Sequence, residues 1–193
     1  MNFTSTTFEK ETFINITCPK EDLRNKEFSN CVFKKCDFSQ CQFSGSSFMD
    51  CVFSDCNLSN IKVDNCRFQG VQFENCKLLG IVFANIHTFL IKWSFQKCIV
   101  VLCDFSDLSI KDSQFTHCEL RENDFINTNL SKCDFSGSDF KASKFQNANL
   151  EEANFIGAKN YYIDPKQNKL KHARFSYPEV LSLLDTFGIK IEY

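Results

Sequence analysis

The sequence predicts a solenoid, a chain wound into stacked coils around one continuous core, and three observations predict it. Large apolar residues recur every fifth position, thirteen in succession from Leu23 to Phe83 and thirteen more from Phe95 to Phe155. The residue two places before each is small, filled by cysteine or by residues such as Ser46, Thr128 and Ala148. A period of five belongs to neither a helix nor a flat strand, whose periods are 3.6 and 2 residues. It marks a coil that turns a corner once per repeat, each corner burying one side chain and each neighbour completing the core.

The unbroken repeat makes the 193 residues one domain. A net charge of −2 excludes a strongly basic nucleic-acid binder, so no direct nucleic-acid contact is expected. The first ten residues are polar and mixed, without the basic and apolar regions of a leader, and no apolar run is long enough for a membrane span. A cytoplasmic protein without a membrane partner is the expectation.

From the N-terminus, Phe3, Phe8 and Phe13 keep the phase, but Met1, Thr6 and Glu11 fill the small slot. Residues 1–20 therefore read as a degenerate capping coil, closed by a turn at Pro19. Residues 21–155 form the regular body. The pattern lapses after Phe155 and resumes at Leu170, Ala173 and Phe175, so 156–175 read as a loop, projecting over Tyr161 to Lys169, and a last coil. Ser176-Tyr177-Pro178-Glu179 fits a capping box with proline in the first turn. Val180, Leu181, Leu183, Leu184 and Phe187 then share a helical face, Gly188 stops the helix, and Ile189 to Tyr193 alternate as a strand. This tail over 176–193 closes the bottom coil.

The repeats Cys31-Val32-Phe33-Lys34-Lys35, Cys36-Asp37-Phe38-Ser39-Gln40 and Ala148-Asn149-Leu150-Glu151-Glu152 resemble the pentapeptide repeat family over roughly residues 21 to 175. That resemblance implies an all-β fold: a right-handed quadrilateral parallel β-helix, four pentapeptides per coil, Phe and Leu inward. Positions twenty apart should then stack. Steps of twenty give a column Phe33, Phe53, Phe73, then Phe95, Phe115, Phe135, Phe155, and a small-slot column Cys36, Cys56, Cys76, then Cys98, Cys118. Both cross the break if the coil holding residues 84–94 has 22 residues, with a repeat at Leu90. The body is then about 6.75 coils, a rod of about 32 Å at about 4.8 Å per coil.

Eleven of the twelve cysteines sit in the small slot, the exception being Cys18 in the large one. Cysteine here reads as a small hydrophobe. Structural zinc needs paired cysteines two to four apart or a histidine partner, and that spacing is absent. His87, His117 and His172 are scattered, and no glycine-rich phosphate loop occurs among six glycines. No catalytic, cofactor-binding or metal residue is assigned, and no enzyme activity is expected.

Around the break, Leu79, Val82, Phe89, Ile91, Ile99, Val101 and Leu102 fall at outward positions, and Trp93 occupies a small slot. Two readings follow: a partner-binding surface, or side chains folding back over one another. Net charge is +1 over residues 21–100 and −5 over 101–155, where Asp104, Asp107, Glu119 and Glu122 join the candidate partner surface.

The tail Leu181-Ser182-Leu183-Leu184-Asp185-Thr186-Phe187-Gly188-Ile189 resembles that of the family's quinolone-resistance branch. The resemblance implies a homodimer through Val180, Leu181, Leu184, Phe187, Ile189 and Ile191; a monomeric cap is the alternative. In that branch an acidic rod about as wide as duplex DNA imitates DNA and binds DNA gyrase or topoisomerase IV. The competing reading is a scaffold or interaction module with no topoisomerase role, because function lives in sites grafted on a scaffold.

Overall fold

Every fifth side chain points inward because a three-residue strand or a bridge forms each side of a square coil, and its central residue faces the axis. The computed structural model describes residues 3–89 and 91–189. Consecutive coils pair in parallel, in register, at a step of twenty: Thr12–Ile14, Val32–Lys34, Val52–Ser54 and Gln72–Glu74 lie side by side. The next two steps match Phe73 to Phe95 and Leu78 to Val100, so the coil between them holds 22 residues, as the columns require. Ser94–Gln96 then pairs with Gln114–Thr116 at twenty again. The architecture is the right-handed quadrilateral parallel β-helix that the repeat implies, in about eight coils.

The phenylalanine column is longer than the body. Phe13, Phe33, Phe53, Phe73, Phe95, Phe115, Phe135, Phe155 and Phe175 stack in one file, with ring centroids from 4.5 Å (Phe33 and Phe53) to 5.5 Å (Phe115 and Phe135) apart. Eight steps give a rod of roughly 38 Å at the strand spacing. Two further files form on other sides, Phe8 to Phe68 and Phe83 to Phe145, each at 5.0 to 5.1 Å.

The small slot does more than leave room. Cys56 Sγ donates to the Phe33 carbonyl at 3.4 Å and accepts the Cys36 N–H at 3.4 Å. Ser138 Oγ does the same work at 2.7 Å to the Phe115 carbonyl and 2.9 Å from the Cys118 N–H. Asn123 divides it between Nδ2, which donates to the Val100 carbonyl, and Oδ1, which accepts the Cys103 N–H. Where a turn replaces the strand, the corner N–H bonds instead to the carbonyl three residues back, as Cys41 does to Phe38 and Cys133 to Leu130. Buried corner amides are thereby satisfied in both settings.

Each corner also places its second post-phenylalanine residue in the left-handed region. Twenty-five described non-glycine residues have positive φ, thirteen of them Asn or Asp, whose short polar side chains tolerate that conformation. Gly137 takes it at φ +69, and a Cβ there would overlap the His117 imidazole one coil above.

Three expectations change. Residues 161–169 do not project as a loop: Tyr161 is 3 % exposed, Ile163 is buried beside Phe145, and Asn168 Oδ1 accepts the Ala148 N–H. Burying Tyr161 and Ile163 outweighs the lost repeat, so 156–175 complete a coil, with Phe155 directly over Phe175. The capping box does not form either. Ser176 Oγ accepts the N–H of Gly157, and Glu179–Phe187 is a nine-residue 3-10 helix without a side-chain cap. Gly188, at φ +66, does end it. The expected strand lies mostly outside the described residues, as does Leu90. Finally, Ile91 turns inward, as detailed below.

Candidate interaction surface

The 22-residue coil is built around an indole. Past the 3-10 turn Phe83–Asn85, Ile86, Ile91 and Trp93 all enter the core. Trp93 packs edge-on to Phe68 and Phe95, and its Nε1 donates to the Phe68 carbonyl at 3.1 Å. Two extra residues widen the coil enough for an indole in a slot that elsewhere holds a thiol. Ile91, expected on the surface, is 6 % exposed because it shares this filling. Phe89 is 78 % exposed, past the end of the turn.

Those others converge. Leu79 and Val101 are strand neighbours on adjacent coils. Ile99 flanks Val101 on the same outward side, and the chain then turns through Leu102, which has φ +57 and is 56 % exposed. Val82, also exposed, stands across the corner, bridged to Asp104. Together they form one apolar edge.

The four predicted carboxylates separate into three settings. Asp104 and Glu122 border the apolar edge. With Leu102, Asp124, Ala142 and Lys144 they line a groove of about 300 Å³. Asp104 stacks on Asp124, and Lys144 Nζ answers Asp124 at 3.0 Å. Asp107 instead heads a polar ladder, accepting Asn127 Nδ2 at 2.9 Å while Asn127 Oδ1 accepts from Asn147. Glu119 shares the Arg121 guanidinium with Asp139 at 3.4 and 3.3 Å. Although burial opposes it, hydrogen bonds from Asn160 and the Lys141 amide hold the Asp139 carboxyl below the usual range.

Several thiols are kept in the unreactive form by burial, while a hydrogen bond with Cys18 holds Cys41, and one with Cys98 holds Cys118, below the ordinary value. Burial pushes Cys51, Cys66, Cys103 and Cys133 up to about 12. They are protonated at neutral pH, and the thiolate is the reactive form. Among the described residues no group of three or more His, Cys, Asp or Glu could hold a metal ion, and no helix is long and apolar enough to cross a membrane.

At the lower end, Val180, Leu181 and Leu184 are half-buried, Phe187 and Ile189 exposed; Ile191 lies outside the described residues. The helix buries no residue, touching the core through Leu183 and the Ser182 Oγ bond to the Tyr161 carbonyl.

Sequence reasoning missed Leu102 as a special position. The signal was present: the same place in other repeats holds Asn, Asp, Gly or Lys far more often than a branched apolar residue.

A family model described as a pentapeptide repeat region matches residues 26–98, and one for pentapeptide repeats in eight copies matches 103–141 and 133–159. Two trypsin-treated forms of QnrB1, a plasmid-mediated fluoroquinolone resistance protein, have a similar fold. One is 20% identical over 98% of this chain and 100% of that one, with a TM-score of 0.67. The other is 20% identical over 97% and 98%, with a TM-score of 0.59. HetL, a pentapeptide repeat protein involved in heterocyst differentiation regulation from the cyanobacterium Nostoc, is 12% identical over 89% and 87%, with a TM-score of 0.49. No curated protein matches the sequence.

Proposed function

Because this chain belongs to the pentapeptide repeat family, we propose that it works without catalysis, as a rod whose faces bind a type II topoisomerase, DNA gyrase or topoisomerase IV, and modulate quinolone action. The observation that carries the reading is the end-to-end likeness in fold to a fluoroquinolone resistance protein, with carboxylates gathered on the lower half. The reading requires a cytoplasmic protein. It includes a homodimer, with Val180, Leu181, Leu184, Phe187 and Ile189 meeting a second tail, because that helix leaves its apolar residues half-covered.

Magnitudes decide how such a contact would work. Duplex DNA carries one charge per ~1.7 Å of axis, so a length of roughly 38 Å bears roughly 22 negative charges. This chain carries a net −2. Imitation of DNA by field strength alone is too weak by an order of magnitude. Binding would rest on the shape of the rod and on local carboxylates such as Asp104, Glu122 and Asp124. A gyrase supercoiling assay with and without ciprofloxacin tests the proposal. Protection or inhibition that rises with protein concentration is expected, and an unchanged drug response at large excess would sink it.

A second reading has its own support. The apolar edge of Leu79, Val82, Ile99, Val101 and Leu102 favours an interaction module with a protein partner other than a topoisomerase.

A further inference from the structure

We propose that the apolar edge around Leu102, together with the acidic groove beside it, is a docking site for a protein segment whose apolar side chains are flanked by lysine or arginine. The inference rests on the reading of this chain as a protein-binding rod, whatever that partner is.

Leu102 is the first reason. Its φ of +57 is one that L-residues disfavour, and unlike Asn or Asp it has no polar side chain to bond locally in compensation. Gly80 holds the equivalent place in the coil above. Nor does Leu102 recover anything by burial, since more than half of it is exposed. Eleven other described residues that are neither Gly, Asn nor Asp share this corner conformation, but all are polar or small. Leu102 is the branched apolar one among them, and an exposed leucine at a corner that elsewhere carries polar or small residues marks a position kept for something outside the chain.

Continuity is the second. Leu79, Val101 and Val82 extend the surface of Leu102 across one corner, giving a partner several adjacent anchors rather than a lone exposed leucine.

Charge names the occupant. The groove under Leu102 is bordered by Asp104, Glu122 and Asp124, and among the described residues only Asp124 has a cation in ion-pair distance, Lys144. Asp104, which accepts the Ser106 N–H through one oxygen, and Glu122 thus border the apolar anchors without a cation of their own among the described residues. Such a surface repels acidic partners and nucleic-acid backbones and is completed by cationic side chains on either side of an apolar insertion.

The experiment is a selection of short random peptides displayed on phage against the full chain, with the Leu102→Asn variant as comparator. Asparagine suits a positive φ, so that variant should fold with a melting temperature equal to or above that of the parent. Enriched peptides should pair apolar residues with Lys or Arg. They should bind Leu102→Asn about tenfold more weakly or worse. Glu122→Gln with Asp104→Asn should weaken them too and flatten their salt dependence. Absence of enrichment, acidic or uncharged consensus peptides, or equal binding to Leu102→Asn would each overturn the proposal. So would concentration-dependent self-association, seen by sedimentation, that Leu102→Asn abolishes, because the edge would then belong to a second copy of this chain. Failure here leaves the supercoiling assay unaffected, and failure there leaves this selection unaffected.

Discussion

Above and below the 22-residue coil the same architecture is built with different chemistry. Residues 23–83 fill the small slot with seven cysteines; residues 95–155 use four and turn to Ser113, Asn123, Thr128, Ser138 and Ser143. The phenylalanine file passes through both halves without a break in register. The slot therefore selects two properties at once, small volume and a donor able to reach the carbonyl 23 residues back. Most thiols meet the second at longer range, as at 3.4 Å from Cys56, although Cys41 and Cys66 reach 2.8 and 2.9 Å, and hydroxyls meet it well, as at 2.6 Å from Ser143. Charge follows the same division, with the lower half acidic and the upper half near neutral.

Alkaline pH should break the comparison most severely. Burial lifts thiols such as Cys51 and Cys66 from an ordinary 9.0 to about 12 in the fold. Folded values above unfolded ones mean that this stability is whole below pH 9.0 and drains away as pH rises toward 12. Each such thiol contributes about 1.4 kcal/mol per pH unit across that window. With more cysteines, the upper half should open first. Hydrogen exchange followed from pH 8 to 11 checks the order, and simultaneous opening would count against it.

Next in size, Phe73→Ala and Phe115→Ala, one on each side of the insertion, should each cost roughly 3 to 5 kcal/mol by denaturant unfolding. Each coil touches only its neighbours, so lost protection should be centred on the mutated half. The smallest contrast lies in the slot itself. Ser138→Ala strands the Cys118 N–H and the Phe115 carbonyl and should cost about 1 to 3 kcal/mol. Cys56→Ser keeps a donor and an acceptor in place and should stay within about 1 kcal/mol of the parent. A larger loss from Cys56→Ser than from Ser138→Ala would show that sulfur volume, not hydrogen bonding, governs the upper slots.

The core was legible in the sequence because stacking is a fixed offset along the chain: once twenty is recognised, the file from Phe33 to Phe155 and the 22-residue coil both follow. Where side chains chose between inside and outside on local volume, the pattern was blind. Ile91 falls off the repeat and Trp93 overfills a small slot of it, and only the widened coil reveals room for both. Tyr161 and Ile163 occupy positions that the period assigns to Asn160 and Pro165. Burial of a tyrosine ring against Phe155 and Phe175 overrides spacing there. The carboxylates were visible as a count, but not their separation into a groove, a ladder and an arginine cluster, which depends on the coil above. Leu102 was legible in position, while the signal of its conformation, a branched apolar residue where the corner usually holds Asn, Asp, Gly or Lys, went unread.

The twenty-residue step has a bearing on how the chain reaches this state. In the body nearly every contact that closes a coil joins residues 18 to 25 apart, so no loop longer than one coil has to be closed at any stage. The entropy of closing twenty residues is roughly 3 kcal/mol, and it recurs at the same size for each added coil. Assembly can thus advance like a zipper from any formed pair of coils. The slowest tooth should be the 22-residue one, where an indole must find its place before the lower half can align with the upper.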